Sequence, residues 1–204
     1  QTLSPIRLRL PAILLIFSLL GFMAVIAFTL VMVLPNFPTG LDPATSQQLQ
    51  QFQFAYILGQ ALILVAVVPS ISGIALLANV LKETSARRWA WIAFASALAT
   101  IGLYAVIVIV RLSLFGGFAE PTLAENNVWQ WSSWAFGKLA DPATAFTTLA
   151  VCIALYLSGI LKRTGLIVGI LSAVVLILAV VASYIPVVYI LLWLPLGVAL
   201  LRRK

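Results

Sequence analysis

The sequence predicts an all-α polytopic integral membrane protein with six transmembrane helices and both termini on the cytoplasmic side. Three observations lead there. Of its 204 residues, 63% are hydrophobic and only 8% charged, whereas about a quarter of a soluble domain is charged. Residues 54–81 and 89–110 contain no charge at all. About 20 apolar residues, rising 1.5 Å each, cross a ~30 Å hydrocarbon core. The basic residues stand in short clusters at the ends of such stretches, as membrane topology requires.

The two stretches read as a helical hairpin closed by the basic loop Lys82-Glu83-Thr84-Ser85-Ala86-Arg87-Arg88. Both arms are apolar on every side, which suits lipid rather than a soluble surface. In lipid the backbone must satisfy its own hydrogen bonds, so each arm is expected to be a helix. Asp42-Pro43 supplies an N-cap and a proline for a first helical position, so the first arm is expected to begin before it enters lipid.

Taken in order, a short basic start with Arg7 and Arg9 leads into a first span at residues 10–34. It is too long for a signal-peptide core and no A-x-A site follows, so it reads as a retained helix. The first residue is Gln1 rather than Met, so the natural start is expected to lie upstream or to have been processed. Pro35-Asn36-Phe37-Pro38-Thr39-Gly40 ends the span with turn formers. Spans 54–81 and 89–113 follow. Residues 116–140 form the largest expected loop, with Glu120 and Glu125 early and Trp129, Trp131 and Trp134 late. Tryptophan favours the headgroup level, so this part reads as an interfacial aromatic anchor, with a ligand lid or docking surface as the sharper alternative. Asp141-Pro142 is expected to cap a fourth span, residues 142–161. The 37 apolar residues after it would make one helix of ~55 Å, nearly twice the core. They divide at Ser183-Tyr184-Ile185-Pro186 into spans 165–183 and 186–201, the latter kinked at Pro195. The whole chain, 1–204, is then one bundle with a small outer cap from residues 35–53 and 116–140.

Six spans put Arg7, Arg9, Lys82, Arg87, Arg88, Lys162, Arg163, Arg202, Arg203 and Lys204 on one side and only Arg111 and Lys138 on the other. Ten against two is a positive-inside pattern, so both termini face the cytoplasm of a plasma or bacterial inner membrane. The net charge of +7 is accounted for in this way and does not call for nucleic acid. An internal echo, Asp42-Pro43-Ala44-Thr45 and Asp141-Pro142-Ala143-Thr144, admits parallel repeats of the kind some transporters have. The plainer explanation is that Asp-Pro is a good helix start.

Histidine is absent and Cys152 is the single cysteine. That excludes an internal disulfide, a Cys/His zinc site, His-ligated haem and a His-based nucleophilic triad. There is no P-loop, GxGxxG, HExxH, GxSxG or CxxC motif. No metal or cofactor is expected. No Asp or Glu falls in a span core, which argues against a proton relay.

Candidate binding residues come from the central hairpin. Ser96, Thr100, Tyr104 and Arg111 share one helical face, and Gln60 comes level with Arg111 when the hairpin is closed. Ser70 and Ser72 bracket the level of Thr100. Pro69 frees the carbonyl of Val65, which needs a partner. The sharp reading is a ligand site of Gln60, Thr100, Tyr104 and Arg111 opening outward. The plain one is that the polar stripe holds helices together, with Arg111 snorkelling to the boundary and pairing with an acid. Thr144, Thr148, Cys152 and Tyr156 recur every fourth residue and suit close helix contact. Gln60 and Asn79 are uncommon in lipid, and either could ligate a pigment magnesium in place of histidine.

The expected function is a non-enzymatic accessory or scaffolding subunit of a larger membrane complex, with the lipid bilayer and other membrane subunits as partners. The alternative is a small carrier or binding protein for a lipid, quinone or pigment. Topology is open to test: an impermeant thiol reagent outside the cell should label a cysteine placed at Ser46 or Ser132 and spare one at Ser85.

Overall fold

The computed structural model describes residues 5–28, 53–116, 123–182 and 186–203. Among these residues there are six α-helices and no strand: α1 Pro5–Phe28, α2 Gln53–Leu81, α3 Arg87–Gly116, α4 Leu123–Leu157, α5 Lys162–Ala182 and α6 Pro186–Leu201. Five of them, α1 to α5, are long and apolar enough to cross a membrane, and α6 holds a shorter apolar segment, Leu192–Leu201. This is the make-up of a multi-pass membrane protein. Each helix touches the next, α6 closes on α1, and α2 also reaches α4.

Neighbours run antiparallel. Gly21 of α1 lies against Ala66 of α2, and Gly73 of α2 against Pro11, Leu14 and Leu15 of α1. Thr100 of α3 meets Thr147 of α4, and Cys152 of α4 meets Gly165 and Gly169 of α5. Gly197 of α6 sits on Ala12, Leu15 and Ile16 of α1. The loop after α2 reaches the end of α4, where the Ser85 hydroxyl donates to the carbonyl of Leu157 at 3.4 Å. These contacts bring Arg7, Arg9, Lys82, Arg87, Arg88, Lys162, Arg163, Arg202 and Arg203 to one end of the bundle, and Lys138 to the other.

The core lies where α1, α2, α4 and α6 converge. Leu15, Ile71, Ile74, Leu77, Leu155, Leu192, Trp193 and Leu196 are all fully buried there. Phe22 of α1 faces the Trp193 ring at 6.3 Å between centroids. Helix α5 is peripheral. Only a narrow stripe of it (Gly165, Val168, Gly169, Ser172, Val175 and Ala179) is buried, while Ile167, Ile170, Val174, Ile177 and Val181 are exposed.

Contacts this close depend on glycine. A Cβ built on Gly21 would stand 2.6 Å from the Ala66 Cα, and one on Gly197 would stand 2.8 Å from Ile16 and 3.0 Å from the Ala12 carbonyl oxygen. Helices in lipid gain little from the hydrophobic effect and associate through close van der Waals packing instead. Only glycine lets these backbones approach so far. Gly159 is needed for another reason. It ends the turn after α4 at φ 75°, a left-handed conformation that side chains disfavour.

The connection from α2 to α3 is compact. The Thr84 hydroxyl donates to the Leu81 carbonyl at 2.7 Å and accepts the Ala86 N–H at 3.2 Å. Arg87 and Arg88, read from sequence as loop, form the first turn of α3. Lys82 folds back over α3, its Nζ 3.6 Å from the Trp91 ring centroid and 3.3 Å from that of Phe94. The two rings meet edge to face at 6.0 Å.

One element differs from the sequence-based expectation. Asp141-Pro142 does not open a helix, because α4 runs unbroken from Leu123 with Pro142 inside it. The Trp-rich segment therefore continues a helix instead of forming an irregular loop. Proline removes one backbone hydrogen bond, but where little water can reach, opening the chain around it would leave several groups unsatisfied. Pro11, Pro69 and Pro195 also lie inside helices. At 35 residues, α4 is about 52 Å long and exceeds a ~30 Å core. Its apolar part is Lys138–Leu157, and the Trp-bearing turns precede that part. The echo between Asp42-Pro43 and Asp141-Pro142 no longer marks two helix starts. The first copy lies outside the described residues.

The glycine contacts can be graded by substitution. Gly21→Ala should destabilise the protein by roughly 1–3 kcal/mol, because the clash is with backbone. Gly102→Ala, where nothing lies within 4 Å, should be neutral or gain up to about 1 kcal/mol of helix propensity. Thermal unfolding of both variants in the same detergent checks the contrast.

Candidate functional site

The polar stripe of α3 turns toward α4. Closing the α2–α3 hairpin suggested that Ser70 and Ser72 would lie level with Thr100, but the partner of Thr100 is on another helix. Its Oγ1 is 3.2 Å from that of Thr147, and it donates to the Ser96 carbonyl at 2.8 Å. One turn further on, the Tyr104 hydroxyl is 3.4 Å from the Thr144 Oγ1. Ser96 donates to the Ala93 carbonyl at 3.1 Å. Ser70, fully buried, donates to Ala66 at 3.0 Å, so its hydroxyl goes to the carbonyl after Val65.

Helix α4 is the polar spine of the interior. Thr144 donates to Ala140, Thr147 to Ala143 and Thr148 to Thr144, at 2.7, 2.8 and 2.9 Å. All three threonines are buried. Thr144 and Thr148 spend their hydrogen on a carbonyl four residues back and keep their lone pairs for another helix, whereas between Thr100 and Thr147 one hydroxyl donates to the other in place of its own carbonyl. The Thr148 Oγ1 accepts the Trp193 indole N–H at 3.0 Å. Tryptophan has one polar hydrogen, and it needs an acceptor when buried. That contact fixes α6 against α4 in the middle of the bundle.

The stripe Thr144, Thr148, Cys152 and Tyr156 holds for three of its four members. Cys152 is fully buried against α5, but Tyr156 is 44% exposed. Steps of four residues advance 40° around a helix of 100° per residue, so the fourth member has turned 120° from the first. Cys152 meets Gly165 and Gly169, and the Ser172 hydroxyl donates to the Val168 carbonyl at 2.7 Å.

The expected ligand site is therefore only partly assembled in the described residues. Thr100 and Tyr104 are brought together with Thr147 and Thr144. The side chains of Gln60 and Arg111 lie outside the described residues, as do those of Trp129, Trp131 and Trp134. Asn79 stands at the end of α2, exposed, its Oδ1 accepting from Lys82 Nζ at 3.2 Å. Among the described residues no three of Cys, Asp and Glu come together as a metal site would need.

Sequence reasoning passed over Thr147, Trp193 and the glycine contacts. Two signals were legible. Gly165 and Gly169 are four apart in an apolar helix, a spacing that favours close crossing. Trp193 stands well inside an apolar run, where its N–H requires a partner.

Outside the bundle's interior, a groove of about 420 Å³ lies between the basic ends of α1 and α2, lined by Arg7, Leu10, Pro11, Leu76, Asn79, Val80 and Glu83. Arg7 Nη1 donates to Glu83 Oε2 across it at 2.6 Å, with both side chains more than half exposed. Comparison with protein-family models, curated proteins and solved structures returns no match for this chain.

The Trp193–Thr148 bond should be measurable. Thr148→Val keeps the shape but removes the acceptor of the indole N–H, a loss of about 1–2 kcal/mol. Thr147→Val leaves Thr100 its bond to Ser96 and should cost ~0.6 kcal/mol. Thr148→Ser should restore most of the stability. Unfolding of the three variants in one detergent gives the order.

Proposed function

We propose that this chain is a non-enzymatic accessory or scaffolding subunit of a larger membrane protein complex. On this reading it crosses the plasma or bacterial inner membrane six times, with both termini cytoplasmic. The observation that carries the reading is the use made of the interior hydroxyls. Thr100, Tyr104, Thr144, Thr147 and Thr148 hold helices to one another or to their own backbones. A stripe engaged in this way stabilises a bundle and leaves little donor or acceptor capacity for a substrate.

Two further features support it. Helix α5 exposes Leu166, Ile167, Ile170, Leu171, Val174, Ile177 and Val181, a face able to lie against lipid or another apolar helix. The basic residues gathered at one end fit the positive-inside rule, which favours a cytoplasmic position for that end. A sixth crossing by α6 keeps the C-terminal cluster on the same side as Arg7.

Purification in a mild detergent tests the reading. Other membrane subunits should co-purify in fixed ratio and dissociate when detergent strength is raised. A chain that purifies alone and holds a lipid, quinone or pigment in stoichiometric amount would support the carrier alternative and overturn the scaffold.

A further inference from the structure

The groove between the basic ends of α1 and α2 has a charge pattern unlike the rest of that end. Its rim carries one cation and one anion, Arg7 and Glu83, joined by a single 2.6 Å hydrogen bond. Its floor is apolar, made by Leu10, Pro11, Leu76 and Val80. The other described charges at this end, Arg9, Lys82, Arg87, Arg88, Lys162, Arg163, Arg202 and Arg203, are all basic, and of these Lys82 reaches the groove's edge through Asn79.

We propose that this groove binds one phospholipid whose zwitterionic headgroup carries a primary ammonium, as in phosphatidylethanolamine. The headgroup is a phosphate and an ammonium a few ångströms apart, and the rim offers a guanidinium and a carboxylate in the same relation. Arg7 uses one of its five N–H donors on Glu83 and has the others for the phosphate. It stands in the first turn of α1, where free backbone N–H groups add partial positive charge. Glu83 is 57% exposed and has a carboxylate able to accept further hydrogen bonds from the ammonium.

The apolar floor continues into the span. On α1, Leu10 and Phe17 are seven residues apart on one side of the helix and are 56% and 46% exposed. On α2, Leu76 and Val65 are 38% and 49% exposed, with Pro69 between them on the same side. From Arg7 to Phe17 the rise is about 15 Å, half the hydrocarbon core. An acyl chain leaving the groove therefore follows an apolar path, while its headgroup stays at the ion pair. The charge balance selects among lipids. A trimethylated ammonium has no N–H to give Glu83, and an anionic glycerol headgroup brings a net negative charge toward that carboxylate. This inference does not depend on the scaffold reading, since a bound lipid fits a subunit or a lone protein equally.

The test is native mass spectrometry of the full chain, delipidated in detergent and mixed with equal amounts of palmitoyl-oleoyl phosphatidylethanolamine, phosphatidylcholine and phosphatidylglycerol. One phosphatidylethanolamine should be retained about fivefold over each of the others, the size expected of one partly screened ion pair. Glu83→Gln should bring it down to the phosphatidylcholine level. Leu76→Trp fills the groove and leaves the ion pair intact, so it serves even where Glu83→Gln does not fold. Loss of the preference in either variant, with helix content by circular dichroism unchanged, supports the site. Equal retention of the three lipids, a preference for phosphatidylglycerol, or a preference that survives both variants overturns it.

Discussion

Inside hydrocarbon no water competes for backbone N–H and C=O groups, so each must be satisfied by the chain itself. Most features of this protein answer to that constraint. It makes the described spans helical, and it keeps α4 helical through Pro142. It also sets what the interior hydroxyls do first. Ser70, Thr144, Thr148 and Ser172 each give their hydrogen to a carbonyl four residues back. Only the remaining lone pairs are free to join helices. Thr148 uses one for the Trp193 indole, and of Thr100 and Thr147 one donates to the other across α3 and α4.

A second consequence concerns how the helices are held. Lipid tails are as apolar as leucine, so burial of leucine against leucine gives little net drive to associate. Close contact supplies it instead. Gly21, Gly73 and Gly197 seat α1 against α2 and α6, and Gly165 and Gly169 seat α5 against α4. A further methyl at the tightest of these points would meet backbone. Polar bonds then join α3 to α4 and α4 to α6, with the modest energy such bonds have in membranes.

At the basic end the chain is tied by different physics. Lys82 lies over Trp91 and Phe94, and Arg7 reaches Glu83. Both contacts are near water and individually weak. Together they link α1, the α2–α3 loop and the start of α3, so the end that carries the positive charge is also laced by it. The groove beside Arg7 and Glu83 belongs to this end.

The sequence by itself determined the class of the protein. Charge-free runs of membrane length and the clustering of arginine and lysine are properties of composition along the chain, and they require no knowledge of neighbours. The absence of histidine likewise excluded whole chemistries without a structure. Polar residues on one helical face were also legible, since Thr100 and Tyr104 follow from a period of 3.6. Tertiary structure alone decided which helix that face meets. Closing the hairpin gave only the depth of Thr100, level with Ser70 and Ser72 on α2, and its partner is Thr147 on α4, because depth follows from residue number whereas rotation about the helix axis depends on packing. The start of α4 was beyond sequence reasoning for a related reason. Asp-Pro is a good cap where water can take the freed groups. In a span laid against α3 and α5, the same two residues are carried inside the helix at the loss of a single hydrogen bond.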